Sequence, residues 1–299
     1  MRDLNWVESK LGDDALNRLH RKLSGGKANQ NGYEFELFNC IAEIVSVASA
    51  YDTSLESDDG EVADHPNAVR MTQGCLAFVD DIMIETPDRL RFIQVKSTSC
   101  LTWDAKLFED FQNQYDWLMA YGKKFELVLV TISEGVRNNL ISGRSKYTFD
   151  KAIIISRNPD ETEWVEKIKS LVTGVPSLRN ARLLHGQLTL AWMESNREEF
   201  MGETLSRAKE KTRGMIKAFQ KTPVFLQEII GEIKNLDNDV LTLSADGLSI
   251  MYHIQNEEDE IQGVISIENW CAAERELINN PPQTAIALIT QIAEGLKNL

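Results

Sequence analysis

The chain has 299 residues, 42% of them hydrophobic, and carries 46 acidic against 32 basic residues for a formal net charge of −14. This composition suits a globular protein with a sizeable core and speaks against a disordered chain, a membrane protein and a simple polyanion binder. The four cysteines and four histidines are scattered rather than spaced as a zinc site or disulfide framework, which suits a reducing compartment. The opening MRDLNWVESKLGDD has no signal-peptide pattern, so a cytoplasmic location is the expectation.

The glycine-rich SGGKANQNG, Ser24 to Gly32, lacks a phosphate-loop spacing and reads as a lead-in loop, with Lys27 a candidate contact for a nucleic-acid backbone. From Asn31 to Ser49 the pattern predicts a helix, with Asn31 near its start. Phe35, Phe38, Ala42 and Val45 form its apolar stripe, broadened by Leu37, Ile41 and Ile44. Glu36 and Glu43 fall on its polar side, and Glu36 lies in the first turns, where the helix dipole favours a carboxylate. The acidic ESDDGEVAD, Glu56 to Asp64, reads as an exposed loop.

FVDDIMIETPDRLRFIQVK, Phe78 to Lys96, reads as two strands around a tight turn. A turn centred on Pro87-Asp88 sets Ile82 opposite Ile93 and Asp81 opposite Gln94. Because side chains alternate along a strand, that register gathers Asp81, Gln94 and Lys96 on one face and leaves Asp80 with the isoleucines. A bulge at the acids would exchange the two aspartates. A carboxylate beside an amide oxygen suits a hard divalent cation. A lysine beside such a cation can orient a water or steady a phosphate oxyanion. An ordinary polar face on a surface hairpin is the competing reading.

Gly32-Tyr33-Glu34-Phe35-Glu36 on the first helix, then Asp81, then Gln94-Val95-Lys96 on the following strand, resemble the PD-(D/E)xK nuclease superfamily. The pattern is similar to the Mrr-type restriction nucleases and to the nuclease effector domains of bacterial anti-phage systems such as CBASS and Lamassu. The resemblance spans roughly residues 24 to 156. It implies an α/β fold with a restriction-endonuclease-like mixed sheet flanked by helices. It also implies an endonuclease that cleaves DNA with Mg²⁺ or Mn²⁺. On that resemblance Asp81, Gln94 and Glu36 hold the metal, and Lys96 is the catalytic lysine. Gln94 departs from the commoner glutamate and lends an oxygen without a charge.

Further along, Leu107, Phe111, Leu118 and Met119 have helical spacing, and the apolar runs at 125–133 and 151–156 read as strands. In RAKEKTRGMIKAFQK, Arg207, Lys211 and Lys217 are candidate DNA-backbone contacts, against a solvated helix face as the plainer reading. A boundary near Thr222-Pro223 separates a nuclease-like domain with its trailing basic helix, 1–221, from a smaller α+β region, 222–299. That second region holds 13 acidic and 3 basic residues. It reads as a hairpin turning at Ala245-Asp246-Gly247, a third strand over Gln262 to Ile267, and helical segments from Trp270 and from Pro282. Its charge suggests a surface that docks a partner protein in a defence complex, or one that competes with DNA for the basic surface. A homo-oligomer that cuts both strands stays open. The alternative function is a catalytically inactive nuclease-fold protein that serves as an interaction or scaffold subunit.

Overall fold

The computed structural model describes residues 4–25, 30–56, 63–143, 145–159, 162–173, 177–212, 215–217, 224–236, 241–246, 249–255, 260–266, 270–284, 286–288 and 290–291. The chain opens with helices α1 (Leu4–Leu11), α2 (Asp13–Gly25) and the long α3 (Gln30–Glu56). Strands β1 (Arg70–Gln73), β2 (Ile82–Glu85) and β3 (Arg89–Lys96) follow as an antiparallel meander. Helix α4 (Ala105–Tyr121) then crosses over to β4 (Lys124–Thr131), which runs parallel to β3. Helix α5 (Glu134–Ser142) leads to β5 (Ile153–Ser156), parallel to β4. After α6 (Thr162–Ser170) and α7 (Leu178–Glu194), the short β6 (Glu198–Phe200) pairs with β1, and α8 (Met201–Lys211) begins at once. The result is a six-stranded mixed sheet in the order β5-β4-β3-β2-β1-β6, in an α/β architecture with flanking helices.

The sequence explains most of these elements. Asp104 caps α4 by accepting from the Leu107 N–H at 2.8 Å. Gly122 ends that helix at φ 75°, a left-handed conformation that suits glycine. The β2–β3 turn is tied by Thr86, whose N–H donates to the Arg89 carbonyl at 3.0 Å and whose hydroxyl donates to Asp88 at 2.7 Å. Ile82 lies opposite Ile93, as the turn position predicts. One sheet face carries Leu90, Phe92, Leu127 and Leu129 into a core with Phe111 and Leu118 of α4, Leu140 of α5, and Phe149. Arg91, on the opposite face, meets Glu43 of α3. A second cluster joins Val7, Ala15 and Leu19 of the first two helices to Phe78 and Trp117.

Two expectations change. Glu43 is buried rather than on a solvated face, and its carboxylate is held by Arg157 at 2.5 Å and Arg91 at 3.1 Å. The basic segment does not continue as one helix: α8 ends at Lys211, and Ile216 forms an antiparallel bridge with Val172.

The chain divides into two compact units. The first comprises Met1–Val47, Asp64–Trp164 and Leu188–Leu205, and the second Ala48–Ala63, Val165–Gln187 and Ser206–Leu299. The second unit contains helix α9 (Val224–Leu236), the strands β7 (Leu241–Asp246), β8 (Ser249–Gln255) and β9 (Glu260–Ser266), and helix α10 (Trp270–Asn279). Its three strands form an antiparallel sheet in which Asp246 pairs with Ser249 across the hairpin. The lead-in loop 26–29 and most of the acidic loop, 57–62, lie outside the described residues.

Candidate functional site

Asp81 is delivered to the start of β2 by the loop from Gly74 to Asp80. Gly74 takes φ 67°, and its N–H donates to the Asp81 carbonyl at 2.8 Å, while the Cys75 N–H donates to the Asp80 carbonyl at 2.9 Å. Fully buried Gln114 of α4 steadies the same loop, its Oε1 accepting from the N–H of Phe78 at 2.8 Å and of Val79 at 3.3 Å. Beyond the pair Ile82–Ile93 the regular β2–β3 ladder ends. There the Asp81 carboxylate takes over, with Oδ2 accepting from the Val95 backbone N–H at 2.6 Å and from Gln94 Nε2. The register predicted from the turn therefore brings Asp81 and Gln94 into direct contact. Asp81, rather than Asp80, makes that contact.

Glu36 approaches from α3. Its Oε1 accepts from Gln73 Nε2 at 2.9 Å, and Gln73 Oε1 in turn accepts from the indole N–H of Trp192 at 3.0 Å. The Glu36 pKa is raised from its ordinary 4.5 to about 7, mainly because the carboxylate is buried, and next because the Asp81 charge is close. The Gln73 hydrogen bond pulls it back down, Asp80 pushes it up and Arg197 pulls it down. One turn on, burial raises the Cys40 thiol well above its ordinary value, with Glu36, Glu43 and Asp81 adding to the effect. Negative charge thus concentrates in this part of the first unit. Arg197 answers it from the rim. The residue is exposed, holds φ 59°, and stacks its guanidinium 5.3 Å from the ring centre of Tyr33.

The other sequence candidates fall as follows. Lys96 is the last residue of β3 and partly exposed, and its side chain makes no hydrogen bond or ion pair among the described residues. Lys27 lies outside the described residues. Arg207 is partly exposed and Lys211 exposed on α8, while Lys217 is committed to Asp52 at 3.0 Å. These last three belong to the second unit. Gln73, Trp192, Tyr33 and Arg197 carried no sequence signal for the site. Their partners come from other elements, and the Trp192–Gln73 bond spans 119 positions.

The donors suit a hard divalent cation that keeps several of its waters: two carboxylates and an amide oxygen. The high pKa of Glu36 reflects its burial and the nearby Asp81 charge, both of which a bound cation would offset. Among the described residues no three His, Cys, Asp or Glu side chains form a ready-made cage, so the Gln94 oxygen would have to serve as the third protein donor. Among these residues no helix is long and apolar enough to cross a membrane. No protein-family model matches the chain, and no curated protein matches its sequence.

Proposed function

We propose that this protein is a metal-dependent endonuclease that cleaves DNA, with a restriction-endonuclease-like core and its active site around Asp81, Gln94, Glu36 and Lys96. The observation that carries this reading is the direct contact of Asp81 with Gln94, together with a half-buried Glu36 whose pKa is raised by its burial and by the Asp81 charge. The order helix, three-stranded meander, helix, parallel strand, with Glu36 on the helix and Gln94-Val95-Lys96 ending the third strand, further supports it.

Asp81, Glu36 and Gln94 Oε1 would hold Mg²⁺ or Mn²⁺. The bound metal supplies Lewis-acid stabilisation of the negative charge that builds up on the scissile phosphate and on the departing oxygen. Lys96 orients the attacking water and offers its ammonium to a phosphate oxygen, for which its uncommitted side chain is suited. Arg197 provides a second cation for the substrate backbone at the rim. The strongly negative overall charge favours action within an assembly, as an effector in an anti-phage or restriction system, with the acidic region 222–299 a docking surface for a protein partner.

A second reading is a catalytically inactive scaffold on the same fold. It is favoured by the absence of a three-residue acidic cage among the described residues and by the direct bond between Gln94 and Asp81. Cleavage of supercoiled plasmid separates the two. The enzyme reading expects Mg²⁺-dependent nicking by the wild type that chelator abolishes and that Lys96→Ala lacks. A scaffold leaves the plasmid intact with either metal and with every candidate partner added.

A further inference from the structure

Gln73 is buried, with 5% of its surface exposed, and it has no role in the chemistry above. It is nonetheless fixed at every polar atom that matters. Its backbone N–H donates to the Arg197 carbonyl at 2.8 Å. Its Cα stands opposite Ile82, the residue after Asp81, in the β1–β2 ladder. An amide side chain can present either its oxygen or its nitrogen to a neighbour, and an indole N–H is a donor only. Trp192, itself fully buried, therefore sets the direction of the amide: Oε1 faces the indole at 3.0 Å and Nε2 faces Glu36 at 2.9 Å. Without the indole the amide could turn over and bring its oxygen against the carboxylate.

We propose that Gln73, oriented by Trp192, is a positioning residue that holds Glu36 as an oriented carboxylate for a divalent cation. The proposal rests on the metal-site reading above and names the support of one of its ligands. The donated hydrogen bond immobilises one Glu36 oxygen and leaves Oε2 outside the pair. Gln73 thus links the two carboxylates that no shared element joins: its side chain holds Glu36 on α3, and its strand pairs with β2, which Asp81 immediately precedes. Partners that orient a metal ligand typically change metal affinity by about 10- to 100-fold when removed.

The test uses the full-length protein and Mn²⁺ as the probe, with binding followed by electron paramagnetic resonance or calorimetry. The variants are Gln73→Met, which keeps the reach of the side chain without donor or acceptor, and Trp192→Phe, which keeps a buried ring without the N–H. Glu36→Gln is measured alone and with Gln73→Met. We expect Gln73→Met to weaken Mn²⁺ binding about ten-fold, and Trp192→Phe to weaken it in the same direction by less. The double variant with Trp192→Phe should bind no more weakly than Gln73→Met alone, because both act on one bond chain. In the Glu36→Gln background Gln73→Met should change nothing. A Gln73→Met protein that binds Mn²⁺ like the wild type, or that weakens Glu36→Gln as much as it weakens the wild type, overturns the positioning role and leaves the metal site standing. A wild type that binds no Mn²⁺ overturns both. Should Gln73→Met fail to fold, Trp192→Phe carries the same comparison.

Discussion

Glu36 carries a cost that a purely structural carboxylate would not. In the unfolded chain it ionises near 4.5, whereas in the folded protein it keeps its proton to about 7. Between those values the folded state binds the extra proton, so stability is highest below about 4.5 and falls as the pH rises through about 7. Glu36→Gln removes that slope and keeps an acceptor for Gln73. Thermal melts without metal should show the variant melting above the wild type at pH 8, with the difference disappearing near pH 4.5. Equal melting profiles at both pH values would deny that the carboxylate is strained. Asp81 differs, because part of its value is structural: its oxygen replaces a missing strand acceptor at Val95. These residues were legible in the sequence to different degrees. The turn at Pro87-Asp88 sets the Asp81–Gln94 contact through local alternation alone. Gln73 and Trp192 were not legible, because a side-chain bond across 119 positions leaves no spacing to read.

At the level of elements, α3 was visible through its apolar stripe, but the environment of Glu43 was not. A glutamate at that position looks solvated until β3 and the residue after β5 bring up Arg91 and Arg157. Glu43 is 2% exposed at its side chain, and the two arginines are 28% and 18% exposed. Glu43→Ala strands two guanidinium groups that still see some water. The expected loss of stability is therefore roughly 2 kcal/mol, below the range for a fully buried pair. Urea denaturation checks this, and an unchanged midpoint would mean that the network is dispensable. Strands β1 and β6 escaped the sequence reading for a related reason. They are four and three residues long, too short for alternation to stand out, and they acquire strand geometry by pairing with each other and with β2. The basic stretch misled in the opposite sense. Its charges suggest one continuous face, yet α8 stops at Lys211 and Lys217 turns to Asp52.

For the whole molecule the charge of −14 sets the terms of any encounter with nucleic acid. If the acidic region 222–299 opposes DNA, reversing exposed acids on α9 relieves that opposition. Glu228→Lys with Glu232→Lys should tighten binding of a short duplex at low salt, with the gain vanishing as salt is raised. Fluorescence anisotropy reads this, and affinity equal to that of the wild type at low salt would leave partner docking as the role of the acidic surface. The architecture was largely legible, since the hairpin, α4, β4 and β5 follow from local patterns. The division into units was not, because both are assembled from separated stretches of chain. The most direct measurement is the single-turnover rate of plasmid cleavage in Mg²⁺ by the wild type and by Lys96→Ala. Lys96 has no structural partner among the described residues, so its loss tests chemistry without disturbing the fold. A metal-dependent rate that falls by about 100-fold or more in Lys96→Ala is the predicted result, and a wild-type rate no higher than that of the variant would contradict an active site at the end of β3.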